Sequence, residues 1–134
     1  SFESPPRSQE VLSIFKQALA DAEFDDGLML VPISKMADRD ALSQVADFLL
    51  PTEGVNVVVA FGVRMSKVIL SARSRNDSIH IGKMLSKTFE EGSAGGHKAL
   101  AGGQIPFDEL GVDCEIQAMD SVSTILKDTF GGIK

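Results

Sequence analysis

The chain of 134 residues has no tryptophan, no tyrosine, one cysteine and two histidines. Each shortage excludes something. A lone Cys114 permits neither an internal disulfide nor a cysteine-based zinc site. Without Trp and Tyr among the basic residues there is no aromatic platform on which a long single strand could stack. Long apolar runs are missing too: stretches such as Val55 to Val63 fall far short of a bilayer span, so no membrane partner is expected. The start, Ser1 to Arg7, has neither an initiator Met nor the charged-then-apolar pattern of a signal peptide. The expectation is therefore a cytoplasmic protein of which this chain is a piece. Residues 1–7 read as a linker stiffened by Pro5-Pro6, and residues 8–134 as one domain.

What is present begins with an uneven charge. The net charge of −6 argues against general nucleic-acid affinity. Between Arg64 and Lys98, however, seven basic residues face three acidic ones, a local +4 that leaves −10 for the remainder. The stretch reads either as a local anion site on an acidic body or as solvated charge on exposed faces.

Periodicity supplies the elements. Ser8 is placed to cap a helix reaching about Glu23, with Val11, Leu12, Ile14, Phe15, Ala18, Leu19 and Ala22 on one broad apolar face. Asp25-Asp26-Gly27 is a turn. Leu28 to Ile33 is a short strand in which Pro32 demands an edge or terminal position. Asp38 or Asp40 caps a second helix with Leu42, Val45, Ala46 and Leu49 in a stripe, ended by Pro51. Val55 to Val63 has the β-branched, apolar pattern of a strand covered on both faces. A tight connection leads to a second strand over Lys67 to Arg73, making a hairpin. The turn Asn76-Asp77-Ser78 caps a helix from about Ile79 to Glu90, with Ile81, Met84, Leu85 and Phe89 inward. Ala101 to Pro106 forms a last strand. A helix over Glu115 to Phe130 is stopped by Gly131-Gly132. The fold class is α/β, a mixed sheet of four to five strands with helices packed against it in a single domain.

Between the third helix and the last strand lies Gly92-Ser93-Ala94-Gly95-Gly96-His97-Lys98-Ala99-Leu100-Ala101-Gly102-Gly103. Glycine pairs around one histidine leave a backbone able to adopt left-handed conformations and to lie directly against a ligand. Exposed N–H groups in such a turn form a concave anion site, to which His97 and Lys98 add donors and charge. The segment reads as a phosphate-handling loop.

The strand ending Ser71-Ala72-Arg73-Ser74, an intervening helix, Gly95-Gly96-His97 and then Leu100-Ala101-Gly102 occur in that order. Here the sequence resembles the DHH-associated C-terminal domain of the DHH phosphoesterase family, which includes oligoribonucleases, single-strand exonucleases and exopolyphosphatase-like proteins. The likeness covers about Ser8 to Phe107, with Ala94 standing where the family has a further glycine. It implies an upstream DHH catalytic domain in the same protein. That domain holds two divalent metals, usually manganese, with Asp and His ligands around an Asp-His-His signature, and activates water to attack phosphorus. This chain has no Asp-His-His, and His80 and His97 are too few for such a centre.

On the same likeness the chain is the part that holds the substrate: a short single-stranded nucleic acid or a nucleotide phosphate. Arg73 offers a bidentate fork of donors. The N–H groups of Gly95 and Gly96 approach a phosphate or ribose closely. His97 assists by donating to a phosphate oxygen, while Ser71 and Lys98 follow as lesser candidates. Gly102 is expected to serve close packing. No catalytic residue and no metal ligand is assigned to this chain, and the fragment alone is expected to be inactive. By residue type alone, the preferred reading of Arg73 is a surface arginine paired with a nearby acid, and His80 reads as a structural or solvent-facing residue near a helix start. Lys83 and Lys87 could simply be an exposed face. Two rival readings are a tRNA-contacting or self-associating module like those at the C-terminus of alanyl-tRNA synthetases, including a homodimer, and a regulatory domain that binds no phosphate.

Overall fold

A computed structural model describes residues 8–34 and 38–132. Residues 1–7, read above as a linker, lie outside the described residues. Helices α1 (Gln9–Asp21) and α2 (Arg39–Leu49) each start at a side-chain cap. Ser8 accepts from the Val11 N–H and Asp38 from the Ala41 N–H. These bonds satisfy backbone donors that a helix start leaves without an internal partner.

Six strands form one mixed sheet in the order β1 (Glu23–Asp25), β2 (Leu28–Ile33), β3 (Val57–Arg64), β4 (Lys67–Ser74), β6 (Leu100–Pro106), β5 (Ser93–Gly96). Only β2 and β3 run parallel. The sheet thus has six strands where four to five were expected. Strand β1 is three exposed residues with no alternation to read. Strand β5 is the glycine-rich segment itself, which was expected to be a loop. Its pairing with β6 brings Gly95 opposite Gly102 and Gly96 opposite Ala101. Pro32 is accommodated as expected: β1 pairs with Leu28–Leu30 only, so the outer side of β2 is open where the missing N–H falls. The β3–β4 hairpin turns on Met65 and Ser66, both at positive φ, which matches the twist of the flanking strands.

Helices lie on both faces. Ile14 and Ala18 of α1 and Leu42, Val45 and Ala46 of α2 pack against Val31, Ile33, Val58, Ala60 and Ile69. On the other face, α3 (Ile81–Thr88) and α5 (Glu115–Phe130) bring Ile81, Leu85, Val122 and Leu126 onto Leu30, Val59, Phe61 and Leu70. Alternate residues of β3 and β4 therefore serve two cores, which is why both strands read as continuous apolar runs. A short α4 (Phe107–Leu110) links β6 to α5. Helix α1 stops two residues short of Glu23, and it leaves Leu12 and Leu19 exposed, so its apolar face is only partly used. Helix α3 also differs from expectation. His80, rather than the Asn76–Ser78 turn, caps it, its Nδ1 accepting from the Lys83 N–H at 3.0 Å. Among the described residues no helix is long and apolar enough to cross a membrane.

Candidate functional site

Strand β4 sends Val68, Leu70 and Ala72 into one core and turns Lys67, Ile69, Ser71 and Arg73 to the α2 face. Cross-strand neighbours on that face are Gly102 beside Ser71 and Leu100 beside Arg73. Helix α2 covers β3 and β4 here. Beside it the sheet is open, because β6 alternates exposed or half-exposed residues on this side with buried Ala101, Gly103 and Ile105 on the other. The result is a cleft of about 220 Å³ whose wall includes Arg39, Ser43, Ser71, Arg73, Gly96 and His97.

Local geometry explains each position. Gly95 and Gly96 adopt φ of +154° and +147°, conformations that side-chain-bearing residues rarely take. Ala94 has no such demand, so an alanine where the family has another glycine leaves the strand unstrained. The His97 N–H donates to the Leu100 carbonyl at 2.8 Å, closing the hairpin tip. Ladder alternation then puts Gly95 in the hydrogen-bonded pair with Gly102 and turns the Gly96 N–H outward from β6. Of the two glycine N–H groups expected to face a ligand, that of Gly95 is therefore committed to the sheet. Helix α3 fixes the tip from the other side: its Ile81 and Gly82 N–H groups donate to the Lys98 and His97 carbonyls at 3.1 and 3.0 Å. The start of α3 thus holds the hairpin instead of an anion. Contact is so close that a Cβ on Gly82 would lie 2.2 Å from the Gly96 carbonyl oxygen.

The structure brings Ser71, Arg73, Gly95, Gly96 and His97 around one cleft. Lys98 is exposed and is not part of the wall; what it contributes is its carbonyl, to α3. Arg73 is buried and partly committed. Its Nε lies 2.7 Å from Asp47 Oδ1 and its Nη1 donates to the Ala72 carbonyl at 2.9 Å. The expected bidentate fork is thus half engaged, and the paired-arginine alternative describes that half. The outer edge of the guanidinium, Nη2, carries neither of these bonds. Asp47 is 63% exposed against 9% for the Arg73 side chain, so solvent screens the carboxylate more than the arginine. Ser71 Oγ sits at the base, 3.0 Å from Ser43 Oγ.

Two cleft residues of α2, Arg39 and Ser43, were missed, as was Asp47 of the same helix, which pairs with Arg73. They recur every four residues beside the apolar stripe of Leu42, Val45, Ala46 and Leu49, so helical spacing puts them on one polar face. That spacing was the available signal. Arg39 is exposed and has no ion-pair partner among the described residues. A Cβ on Gly102 would be 3.9 Å from its Cζ and 2.9 Å from the Leu70 carbonyl oxygen. The close-packing role expected of Gly102 is visible there, and its bare backbone forms the floor beneath Arg39.

The profile of the DHHA1 domain matches residues 26–131. This chain belongs to the DHHA1 domain family. An uncharacterised protein of Methanocaldococcus jannaschii is 32% identical over 105 residues, which cover 78% of this chain and 21% of that protein. This DHHA1 chain therefore spans about a fifth of the curated relative it matches. Among solved structures, an exopolyphosphatase-related protein from Bacteroides fragilis superposes with a TM-score of 0.68 at 14% identity, over 92% of this chain and 36% of the other. The C-Ala domain of Aquifex aeolicus alanyl-tRNA synthetase gives 0.58 at 18% identity, over 84% of this chain and 99% of that domain. A pGpG-specific phosphodiesterase from Vibrio cholerae gives 0.55 at 13% identity, over 90% and 40%. At these identities the likeness is one of fold.

The metals implied by the DHH resemblance can be tested against the DHHA1 residues themselves. Among the described residues no group of three or more His, Cys, Asp and Glu side chains could hold a metal ion. His80 Nδ1 is occupied by a backbone N–H. The donor set here does not fit a metal centre.

Proposed function

We propose that this DHHA1 domain holds the phosphate end of a nucleotide or short single-stranded nucleic acid for a DHH-type phosphoesterase. The catalytic metals, manganese in the usual case, would belong to a DHH domain outside the described residues. The observation that carries the reading is the joining of Arg39, Arg73 and His97 around one open cleft floored by glycine backbone. Two guanidinium groups and an imidazole line it, one guanidinium paired with the exposed Asp47 carboxylate. Arg39 meets a phosphate from the solvent side. The Arg73 Nη2 edge meets it from the sheet, held in orientation by Asp47 and the Ala72 carbonyl. His97 donates from the hairpin tip, where closing β5 against α3 has fixed its backbone. Charge-assisted donors of this kind bind a phosphate strongly when their geometry is set in advance. The Bacteroides and Vibrio neighbours, one exopolyphosphatase-related and one a phosphodiesterase, agree with a phosphorylated ligand.

Calorimetric titration with adenosine monophosphate tests this. The chain is expected to bind it, and His97→Ala and Arg39→Ala each to weaken it about tenfold or more, the scale of one charge-assisted hydrogen bond. Unchanged affinity in both variants would remove the cleft from the function.

A second reading is favoured by the near-complete coverage of the C-Ala domain, namely a module for tRNA contact or self-association without hydrolysis. Tight binding of a tRNA acceptor hairpin that survives His97→Ala, with no mononucleotide binding, would establish that reading instead.

A further inference from the structure

The two edges of the sheet are not alike. At one, β1 carries exposed Glu23 and Asp25, and Glu23 pairs with Lys127 at 3.2 Å. Charged side chains on an edge strand discourage another strand from adding to it. At the other edge, β5 is Ser93-Ala94-Gly95-Gly96, with no charge and no proline, and all four residues are exposed or half-exposed. The ladder that commits Gly95 to β6 turns the N–H groups of Ala94 and Gly96, and the Ala94 carbonyl, toward the free side. The Gly96 carbonyl is closed off by its approach to Gly82. Beside this edge lies a hollow of about 610 Å³, lined by Lys83, Ser86, Lys87 and Glu90 from the α3 side and by Gly95 and Gly96 of β5. Lys83 and Lys87 are exposed and have no ion-pair partner among the described residues.

We propose that the groove between α3 and β5 docks an extended segment of a partner protein, which adds to β5 as a further strand and presents carboxylates to Lys83 and Lys87. The proposal stands independently of the phosphate cleft. A free strand edge beside a helix captures extended peptides in a recurrent way: backbone bonds supply affinity, and alternate side chains supply specificity. The helix sets the spacing. Lys83 and Lys87 are one turn apart, about 6 Å along the axis, and same-face side chains of a strand are about 7 Å apart. Carboxylates at alternate positions of the incoming strand therefore meet both lysines at once. Glu90 closes the far end of the hollow and repels a polyanion that would continue past Lys87. A nucleic-acid strand also lacks the alternating N–H and carbonyl groups that match those of Ala94. A second copy of this chain fits poorly, because two-fold pairing of β5 with itself sets the lysine pairs of both copies against each other.

The probe is a fluorescein-labelled peptide, Asp-Val-Asp-Val-Asp-Val, titrated with the chain and followed by anisotropy. Saturable binding is expected, and its absence overturns the proposal. Lys83→Ala with Lys87→Ala should weaken it about three- to tenfold, the scale of two exposed ion pairs. Arg64→Ala with Lys67→Ala removes the same charge from the β3–β4 turn, whose residues do not line this hollow, and should change nothing. An equal loss there overturns the site as general charge attraction. Lys83→Glu with Lys87→Glu should release this peptide and take up Lys-Val-Lys-Val-Lys-Val instead. Strand addition is read separately, with unaltered protein, from peptides N-methylated either at every Asp or at every Val. An added strand uses the N–H groups of one edge, so one form should lose binding and the other keep it. Equal behaviour of the two forms overturns strand addition. A hexathymidylate that displaces the peptide and itself depends on Lys83 and Lys87 overturns the choice of partner in favour of nucleic acid. A dimer of the chain that the peptide disperses overturns it in favour of self-association. The phosphate cleft is judged apart from all of these, by whether mononucleotide affinity responds to His97→Ala.

Discussion

Gly82→Ala tests how helix α3 and the hairpin tip work as one unit. In an exposed helix the change would stabilise by at most about 1 kcal/mol, through helix propensity. Here the added Cβ would stand 2.2 Å from the Gly96 carbonyl oxygen, 2.4 Å from its carbon and 2.8 Å from the His97 carbonyl oxygen. All three are backbone atoms, so no side-chain rotation relieves the clash. The tip must move away from α3, breaking the Gly82-to-His97 and Ile81-to-Lys98 hydrogen bonds. Each contributes about 0.5–1.5 kcal/mol, and overpacking adds about 1–3 kcal/mol. The losses exceed the propensity gain, leaving a net destabilisation of about 2 kcal/mol. For a domain of this size that lowers the melting temperature by roughly 5–10 °C. The clash falls on the hairpin tip and on no core side chain, so the fold is kept. Mononucleotide affinity should fall at least about tenfold, since Gly96 and His97 shift together. Thermal unfolding followed by calorimetric titration reads both quantities. A raised melting temperature with unchanged affinity would refute the contact. A lowered one with unchanged affinity would detach the tip from binding.

Other expectations follow from the same geometry. Arg73→Ala should weaken mononucleotide binding by about 1.5–3 kcal/mol by calorimetry, the scale of a hydrogen bond to a charged group; an unchanged dissociation constant would confine Arg73 to its pairing with Asp47. Gly96→Ala forces a side chain into φ +147° and against Ala101, so circular dichroism should show an intact fold while titration shows lost binding. Leu126→Ala, deep in the α5 core, should cost about 2–5 kcal/mol in denaturant unfolding and leave the affinity of the folded protein alone. Affinity for a short oligonucleotide should fall with salt at a log–log slope of about −1 to −3, because few phosphates are held; a salt-independent interaction would point to an apolar ligand.

Much of the framework is legible in the residues because burial enforces periodicity. Helix α5 runs over the expected Glu115–Phe130, since Val122, Leu126 and Phe130 must all reach one core. The β3–β4 hairpin shows in its β-branched runs because both its faces are covered. Strand β1 left no trace, since three exposed residues obey no pattern. Strand β5 was hidden by composition. Glycine is the residue of loops by propensity, and only tertiary pairing with β6 and close approach to Gly82 make it an edge strand. His80 as a helix cap escaped because the preceding Asn76–Ser78 turn carries the usual capping residue types. The candidate site was half visible. Motif residues on β4 and β5 could be named, but Arg39, Ser43 and Asp47 come from a helix distant in sequence. Their fourfold spacing became meaningful once α2 was seen lying across β4.

The most direct test of the account is an amide chemical-shift map of the isotope-labelled chain during titration with adenosine monophosphate. Saturable shifts should concentrate at Arg39, Ser71 to Arg73 and Gly95 to Gly102, and disappear in His97→Ala. Saturable shifts confined to α1 and α5, or binding whose map omits the hairpin tip, would contradict it.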